Sequence, residues 1–285
     1  MRRIGSGVAI VALLAGTGAA SATCPGQESI DRFVADWQAK RPGKALPITN
    51  LADAACARDK IVAALERSQG RVVGYKAGLT AKAVQERFKA DGPVSGTMLE
   101  AMILPDGATV PAAYGARPVW EADMLLVVKD AGINAATTPE AALRHISGMR
   151  AFVELPDLAL APTETLDGTQ LLAINVAARL GVAGPEVPLQ ADADTVGLLA
   201  SARIVATDAS GATLAESTGA ATLGNPLNAV IWLVQDLAKA GRTLKAGDLI
   251  SVHSFTPLTP PKPGQDVTVQ YEGLPGTPRV TVRFQ

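Results

Sequence analysis

Aromatic side chains are scarce in this 285-residue sequence, with five Phe, three Trp and three Tyr. Surfaces that stack single-stranded bases are built from such rings, so their scarcity argues against a nucleic-acid platform. No basic cluster occurs, and 26 basic against 27 acidic residues leave a formal charge of −1, so no field draws polyanions or an anionic membrane. After the first 22 residues no run of about 20 uninterrupted apolar residues appears, which excludes a membrane-spanning helix there. No Gly-rich phosphate loop precedes a helix. His145 and His253 are the only histidines, and Cys24 and Cys56 the only cysteines. What the chain has in abundance is Ala and other aliphatic residues, enough in about 260 residues for one large domain with a helical lead-in.

The beginning has the order of a secretory leader: Arg2 and Arg3, an apolar run from Val8 to Ala15, then the small residues Ala20-Ser21-Ala22. Cleavage after Ala22 is expected, giving a periplasmic or secreted protein without membrane attachment. Acylation of Cys24 as a lipoprotein is the weaker reading, because Thr23 is a poor residue before an acylated cysteine. In an oxidising compartment the Cys24/Cys56 pair is expected to be bridged, two separate thiols being the alternative.

The pattern predicts helices over Glu28–Lys40 and from the Asn50 cap to Ser68, with Gly70 closing the second. A strand over Arg71–Tyr75 leads to Thr80, which is expected to cap a helix presenting Val84 and Phe88. Pro93–Gly96 reads as loop and Met98–Leu104 as a short strand. Thr138-Pro139 opens a helix to Gly148, and Thr169–Leu180 reads as another, followed by an irregular link over Gly184–Asp192. Thr195–Thr207 and Ala212–Ser217 read as strands. Asn225-Pro226 opens a long helix to Lys239, before strands over Leu249–His253, Val267–Tyr271 and Arg279–Phe284. Helices early and many strands later make an α+β fold rather than a βαβ alternation. The expected organisation is a leader over 1–22, a helical region over 23–97 and a catalytic β-roll over 98–285.

The chain is organised around Arg117–Val128. Read as one strand, its alternation puts Val119, Glu121, Asp123, Leu125 and Val127 on one face. Two carboxylates then lie at one end of a face that otherwise reads as core, where they need a cation or protons. A second apolar segment, Ala151–Leu155, carries Glu154. Three acids from two buried strands suit a hard divalent cation, Mg²⁺ or Mn²⁺, with positions left for substrate. The other reading is a strand end whose acids face solvent and pair with Arg117 or Arg150.

Several separated stretches also agree on one family. Gly74-Tyr75-Lys76-Ala77-Gly78-Leu79-Thr80, Glu121-x-Asp123, Glu154, Ile174-Asn175-Val176, the run from Gly219 to Leu233 and Leu244–Asp248 occur in order. Together they resemble the 2-keto-4-pentenoate hydratases, which share a fold with fumarylacetoacetate hydrolase and the 4-oxalocrotonate decarboxylases. The resemblance runs from about Ile30 to the C-terminus. It implies a helical N-terminal region, a mixed β-roll, and Mg²⁺ or Mn²⁺ held by Glu121, Asp123 and Glu154. The family usually has Glu-x-Glu where this chain has Glu121-Ala122-Asp123. It also commonly has Asp-Ser-Arg after the third acid, where Leu155-Pro156-Asp157-Leu158 stands here. Near the C-terminus Val252–Thr256 replaces a Ser-Gly-Ser-like run.

The resemblance implies that a small 2-oxo acid binds the metal and that a 2-hydroxy-2,4-dienoate is hydrated to a 4-hydroxy-2-oxo acid. Lys76 is expected to neutralise the substrate carboxylate or developing oxyanion, and Glu154 or Asp157 to move protons as a catalytic acid or base. Asn225, Asn228, Ser254 and Thr256 are expected either to hydrogen-bond the substrate or to serve as helix caps and turn residues. A homo-oligomer is expected. Decarboxylation of a 2-oxo-3-enedioate would use the same metal cradle. Hydrolysis of a C–C bond ranks third, because no histidine precedes the metal strand. A different class of function is an exported binder of small oxo acids without turnover.

Overall fold

The computed structural model describes residues 24–252 and 254–285. The expected leader and His253 fall outside the described residues. Helices α1 (Gln27–Gln38) and α2 (Leu51–Gln69) open the fold. Ile30, Phe33, Val34 and Trp37 form the buried stripe of α1. The Asn50 side chain caps α2 by accepting from the Asp53 N–H, and Gly70 ends the helix at φ +79°, a conformation that costs a glycine little. A disulfide joins Cys24 to Cys56 in α2 with the Cα atoms 5.6 Å apart. The fold class is α+β, as expected, and among the described residues no helix is long and apolar enough to cross a membrane.

The remaining elements are strands β1 (Val72–Gly78), β2 (Val94–Leu99), β3 (Ile103–Pro105), β4 (Thr109–Val110), β5 (Glu121–Val128), β6 (Ile146–Leu155), β7 (Leu180–Pro188), β8 (Arg203–Thr207), β9 (Thr213–Thr218), β10 (Leu249–Ser251), β11 (Asp266–Glu272) and β12 (Arg279–Phe284). Helices α3 (Lys82–Arg87), α4 (Pro139–Leu143), α5 (Gly168–Ala173), α6 (Ala193–Ser201) and α7 (Pro226–Lys239) lie between them. One sheet has the order β2-β1-β10-β5-β6-β7-β3 and the other β4-β12-β11-β8-β9. The edge strands β2 and β3 of the first sheet are joined only by the short 3₁₀ turn Glu100–Met102. A sheet with its two edges so linked has to curl until they nearly meet, and that makes the roll. Strand β1 comes from residues 23–97, β2 crosses the 97/98 boundary and the other strands come from 98–285, so both expected regions share this sheet.

Curling gives the central strands two different surfaces. The outer face of β5 (Ala122, Met124, Leu126 and Val128) joins Val153 of β6, Val267 and Val269 of β11, Val280 and Val282 of β12, and Leu227, Val230 and Leu233 of α7 in the main core. Each such fully buried side chain contributes about 1.5–3 kcal/mol. The inner face carries Leu125, Val127, Phe152, Ala183 and Leu249, and at one end of it the acids. A second core joins α1 and α2 to α5 and the turn after it. Gly74 is required where β1 runs parallel to β10, because a Cβ there would collide with the Leu249 carbonyl.

Several boundaries differ from the sequence reading. Ala81, not Thr80, precedes α3, and it makes no side-chain cap bond. Val94–Gly96, expected as loop, belongs to β2, where pairing with β1 supplies the backbone bonds. The helix from Pro139 stops at Leu143, and β6 starts at Ile146. The expected Thr169–Leu180 helix ends at Ala173, and the expected irregular link from Gly184 is the second half of β7. The first half of the expected Thr195–Thr207 strand is α6, capped by Asp192. In each case tertiary pairing or a local cap overrides a short apolar pattern that fits either state.

The disulfide allows a direct test of its contribution. With Cys24 and Cys56 separated by 32 positions, loop closure in the unfolded chain predicts roughly 3–4 kcal/mol of stabilisation. Cys24→Ser/Cys56→Ser should lower the denaturant midpoint accordingly, and adding reductant to the parent should reproduce the shift.

Candidate active site

In the antiparallel β5–β6 pair Glu121 stands directly opposite Glu154, and Asp123 opposite Phe152. The three acids therefore share the inner face, all of them buried at 3% exposure or less. Lys76 on β1, 2% exposed, reaches across the roll and donates to Glu154 Oε1. Its Nζ also donates to the Val176 carbonyl at 3.0 Å. Glu154 Oε2 is buried with no hydrogen-bond partner. Asp123 is held differently. Its Oδ1 accepts from the Met124 N–H at 2.6 Å and its Oδ2 from the Ser251 hydroxyl at 2.5 Å, while Tyr271 OH donates to its carbonyl.

Three buried carboxylates face one ammonium, and the electrostatics follow. Burial pushes Glu121 well above the usual carboxylate range, and the Glu154 charge adds to this against the opposing effect of Lys76. Burial and then Glu154 raise Asp123 to about 7, against the lowering effect of the Ser251 and Met124 hydrogen bonds. Both acids are thus short of positive charge.

The Val176 carbonyl is held by an unusual turn. Asn175, Val176 and Ala177 have φ of +58°, +53° and +55°, a region in which a β-branched residue is strained. The Asn175 side chain sustains it, accepting from the Thr97 N–H at 2.7 Å and donating to the Thr97 carbonyl at 2.8 Å. Gly96 makes room, since a Cβ there would lie 2.9 Å from the Asn175 carbonyl. In the sequence Asn175 stands out only as part of the Ile174-Asn175-Val176 motif. Its role as the clamp behind Lys76 depends on β2 passing beside the turn, which no local pattern reports.

A cavity of about 370 Å³ opens above this cluster. Lys76, Glu121, Ser254 and Thr256 supply its polar end; its walls include Leu79, Val84, Phe88, Leu158, Leu171 and Phe255, with Arg87 also contributing. Thr256 Oγ1 accepts from the Ala122 N–H at 2.9 Å, and Ser254 Oγ donates to the Thr256 carbonyl. The structure thus brings Lys76, Glu121, Ser254 and Thr256 to one cavity. Three other expected site residues have different surroundings. Asn225 caps α7, accepting from the Leu227 N–H at 2.9 Å and donating to the Val196 carbonyl at 2.9 Å. Asn228 donates to the Leu223 carbonyl at 2.8 Å. Asp157 accepts from the N–H groups of Ala116, Arg117 and Ala159 at 2.9, 2.7 and 3.1 Å, with Arg179 at 3.5 Å. None of these three lines the cavity.

The donor set and charge suit a hard divalent cation. Glu154 Oε2 is an orphaned buried oxygen, Glu121 stands across from it, and the acids outnumber their one cation. Among the described residues no three acid, histidine or cysteine side chains converge as a ready-made metal cluster. The Asp123 carboxylate, turned onto Ser251 and the Met124 N–H, would have to swing to join the other two.

No protein-family model matches the chain. Known proteins do. A 2-keto-4-pentenoate hydratase of Burkholderia vietnamiensis is 31% identical over 227 residues, covering 76% of this chain and 80% of the relative. A 4-oxalocrotonate decarboxylase of a Pseudomonas species is 27% identical over 234 residues, covering 80% and 84%. Among solved structures, 4-oxalocrotonate decarboxylase from Pseudomonas putida, complexed with magnesium and adipate, superposes with a TM-score of 0.77 at 24% identity, covering 91% of this chain and 98% of that one. With the expected motifs, the curled sheet and this likeness in agreement, the chain belongs to the 2-keto-4-pentenoate hydratase and 4-oxalocrotonate decarboxylase family, within the fumarylacetoacetate hydrolase-like fold.

Proposed function

We propose that this protein is an exported, metal-dependent hydratase that adds water to a 2-hydroxy-2,4-dienoate and releases a 4-hydroxy-2-oxo acid. The observation that carries this reading is the buried Lys76 and Glu121 at the polar end of an otherwise apolar cavity, with Glu154 behind them, paired to Lys76 and opposite Glu121. Glu121, Asp123 and Glu154 would hold Mg²⁺ or Mn²⁺, which supplies Lewis-acid polarisation of a 2-oxo acid when bound. Support for export comes from the leader-like first 22 residues and from the Cys24–Cys56 bridge.

The side chains divide the remaining work. Lys76 Nζ, fixed between Glu154 and the Val176 carbonyl, stabilises the negative charge that builds on the substrate's 2-oxygen as the dienol ketonises. A proton is added at the far carbon, and water then adds across the resulting conjugated double bond. Thr256 accepts from the Ala122 N–H through Oγ1, which leaves its own hydrogen to orient substrate or water. Glu154, with Oε1 accepting from Lys76 and Oε2 left to the cation, positions Lys76 and is not assigned the proton transfer. Asp157 is left out of this scheme, because its oxygens are engaged by three N–H groups and Arg179.

Decarboxylation is the second reading. The mainly apolar walls favour hydration, since the second carboxylate of a 2-oxo-3-enedioate would meet hydrocarbon there except at the exposed Arg87. Purified protein, loaded with Mg²⁺ or Mn²⁺, should consume a 2-hydroxy-2,4-dienoate and yield the 4-hydroxy-2-oxo acid without releasing CO₂. Carbon dioxide from a 2-oxo-3-enedioate would assign the decarboxylase instead. Tight metal-dependent binding of oxo acids with no product would make the protein a binder.

A further inference from the structure

The cavity is larger than the reaction needs, and its walls indicate what fills it. A five-carbon 2-oxo acid has eight heavy atoms. At roughly 10–15 Å³ of cavity volume per water-sized group, a substrate of that size does not fill the 370 Å³. The unfilled part is apolar. Leu79, Phe88, Leu158, Leu171 and Phe255 line the cavity yet are each 8% exposed or less, so an empty cavity there leaves hydrocarbon surface without partners. The groups that recognise a charged head lie together at the strand end, on β1, β5 and the segment after β10. A head bound there sends its far end toward α3 and α5.

We infer that the substrate is a 2-hydroxy-2,4-dienoate carrying an apolar tail beyond the five-carbon core, seated between α3 and α5. Leu79, Val84, Phe88 and Leu171 are then the residues that set chain-length preference. This rests on the oxo-acid reading of the site and adds the class of substrate to it. Arg87, exposed in α3 and stacked 5.6 Å from the Phe88 ring centre, is the cation among the described residues that lines the cavity at that end, so a tail ending in carboxylate is the competing possibility.

Binding of unreactive probes tests the tail separately from catalysis. Saturated 2-oxo acids from 2-oxopentanoate to 2-oxononanoate, titrated calorimetrically into the Mg²⁺-loaded protein, should bind about fourfold more tightly per added methylene. 2-Oxoheptanedioate should bind no better than 2-oxopentanoate. Val84→Trp, at a half-buried position in the wall, should weaken the longest acid at least tenfold and leave 2-oxopentanoate within twofold. Ala83→Trp, at an exposed lining position, provides the same test if the first variant does not fold. Equal affinity along the series, or tightest binding by the diacid, would overturn the apolar tail while leaving the oxo-acid site intact. Failure of every member to bind, 2-oxopentanoate included, would remove the oxo-acid reading and the tail with it.

Discussion

Replacing Lys76 with Ala is expected to lower turnover by about 10²–10³-fold, the usual loss when a preorganised partner of a developing oxyanion is removed. Metal affinity should respond in the opposite sense. Lys76 donates to Glu154 Oε1, so it competes with a cation for that oxygen. Without the ammonium, Glu154 is available and the site is more negative, and Mg²⁺ should bind as tightly as in the parent or more so. The metal-free variant should also be less stable, because truncating one partner of a buried ion pair leaves the other uncompensated. Parallel Mg²⁺ titrations and steady-state kinetics separate the two effects. Full activity in the variant would show that Lys76 does not serve the oxyanion, and equal losses in metal affinity and turnover would make it a structural support for the acids.

Removing any one of Glu121, Asp123 or Glu154 is expected to abolish tight Mg²⁺ binding and lower turnover at least as far. The amide variants Glu121→Gln, Asp123→Asn and Glu154→Gln keep the shape and remove the charge. Glu121→Gln and Asp123→Asn should leave the metal-free fold intact, because the aliphatic cores do not depend on the cation, whereas Glu154→Gln leaves buried Lys76 without its charged partner and should lower stability as Lys76→Ala does. The pH dependence has a definite sign. Burial raises Asp123 to about 7 against an ordinary value of 3.8, and Glu121 is raised well above its own ordinary value. A carboxyl whose folded value is raised contributes stability that is complete below its ordinary pKa and is lost as pH climbs toward the folded value. The metal-free protein should therefore lose thermal stability between about pH 4 and pH 7, by up to roughly 1.4 kcal/mol per pH unit for each such group. Mg²⁺ should restore it at pH 8 and do little at pH 5, where protons already occupy the acids. Glu121→Gln should flatten the metal-free slope. Identical melting curves with and without Mg²⁺ at pH 8, in parent and variants alike, would remove the metal site.

How far the chain could be read in advance varies by element for identifiable reasons. Helices α1, α2 and α7 were legible because each combines an apolar stripe with a local terminator: Asn50 and Gly70 around α2, and Asn225-Pro226 before α7. The acid-bearing face of β5 was legible because alternation over Glu121–Val128 is a local property, and the cross-strand partner Glu154 sits in an equally apolar run. The β7 strand and the α6 helix were misread, since Gly184, Pro185 and the short apolar pattern of Val196–Leu199 fit more than one state until neighbours are present.

The covalent order of residues determined that three acids and one lysine would be available, that two cysteines could pair, and that the fold would be α+β. It also carried the family motifs by which the chain is grouped with hydratases and decarboxylases. Tertiary structure decided which of the marked residues meet. Lys76 and Glu154 are 78 positions apart and touch only because β10 inserts between β1 and β5 while the sheet curls. Asn175 reaches Thr97 across the same 78-residue separation and converts a strained turn into an acceptor for Lys76. Asn225, Asn228 and Asp157 carry the same kinds of polar groups, yet in the fold they serve a helix cap, a turn and a buried anchor. A side chain's chemistry is local, whereas its partner is set by sheet order, and sheet order is a property of the whole chain.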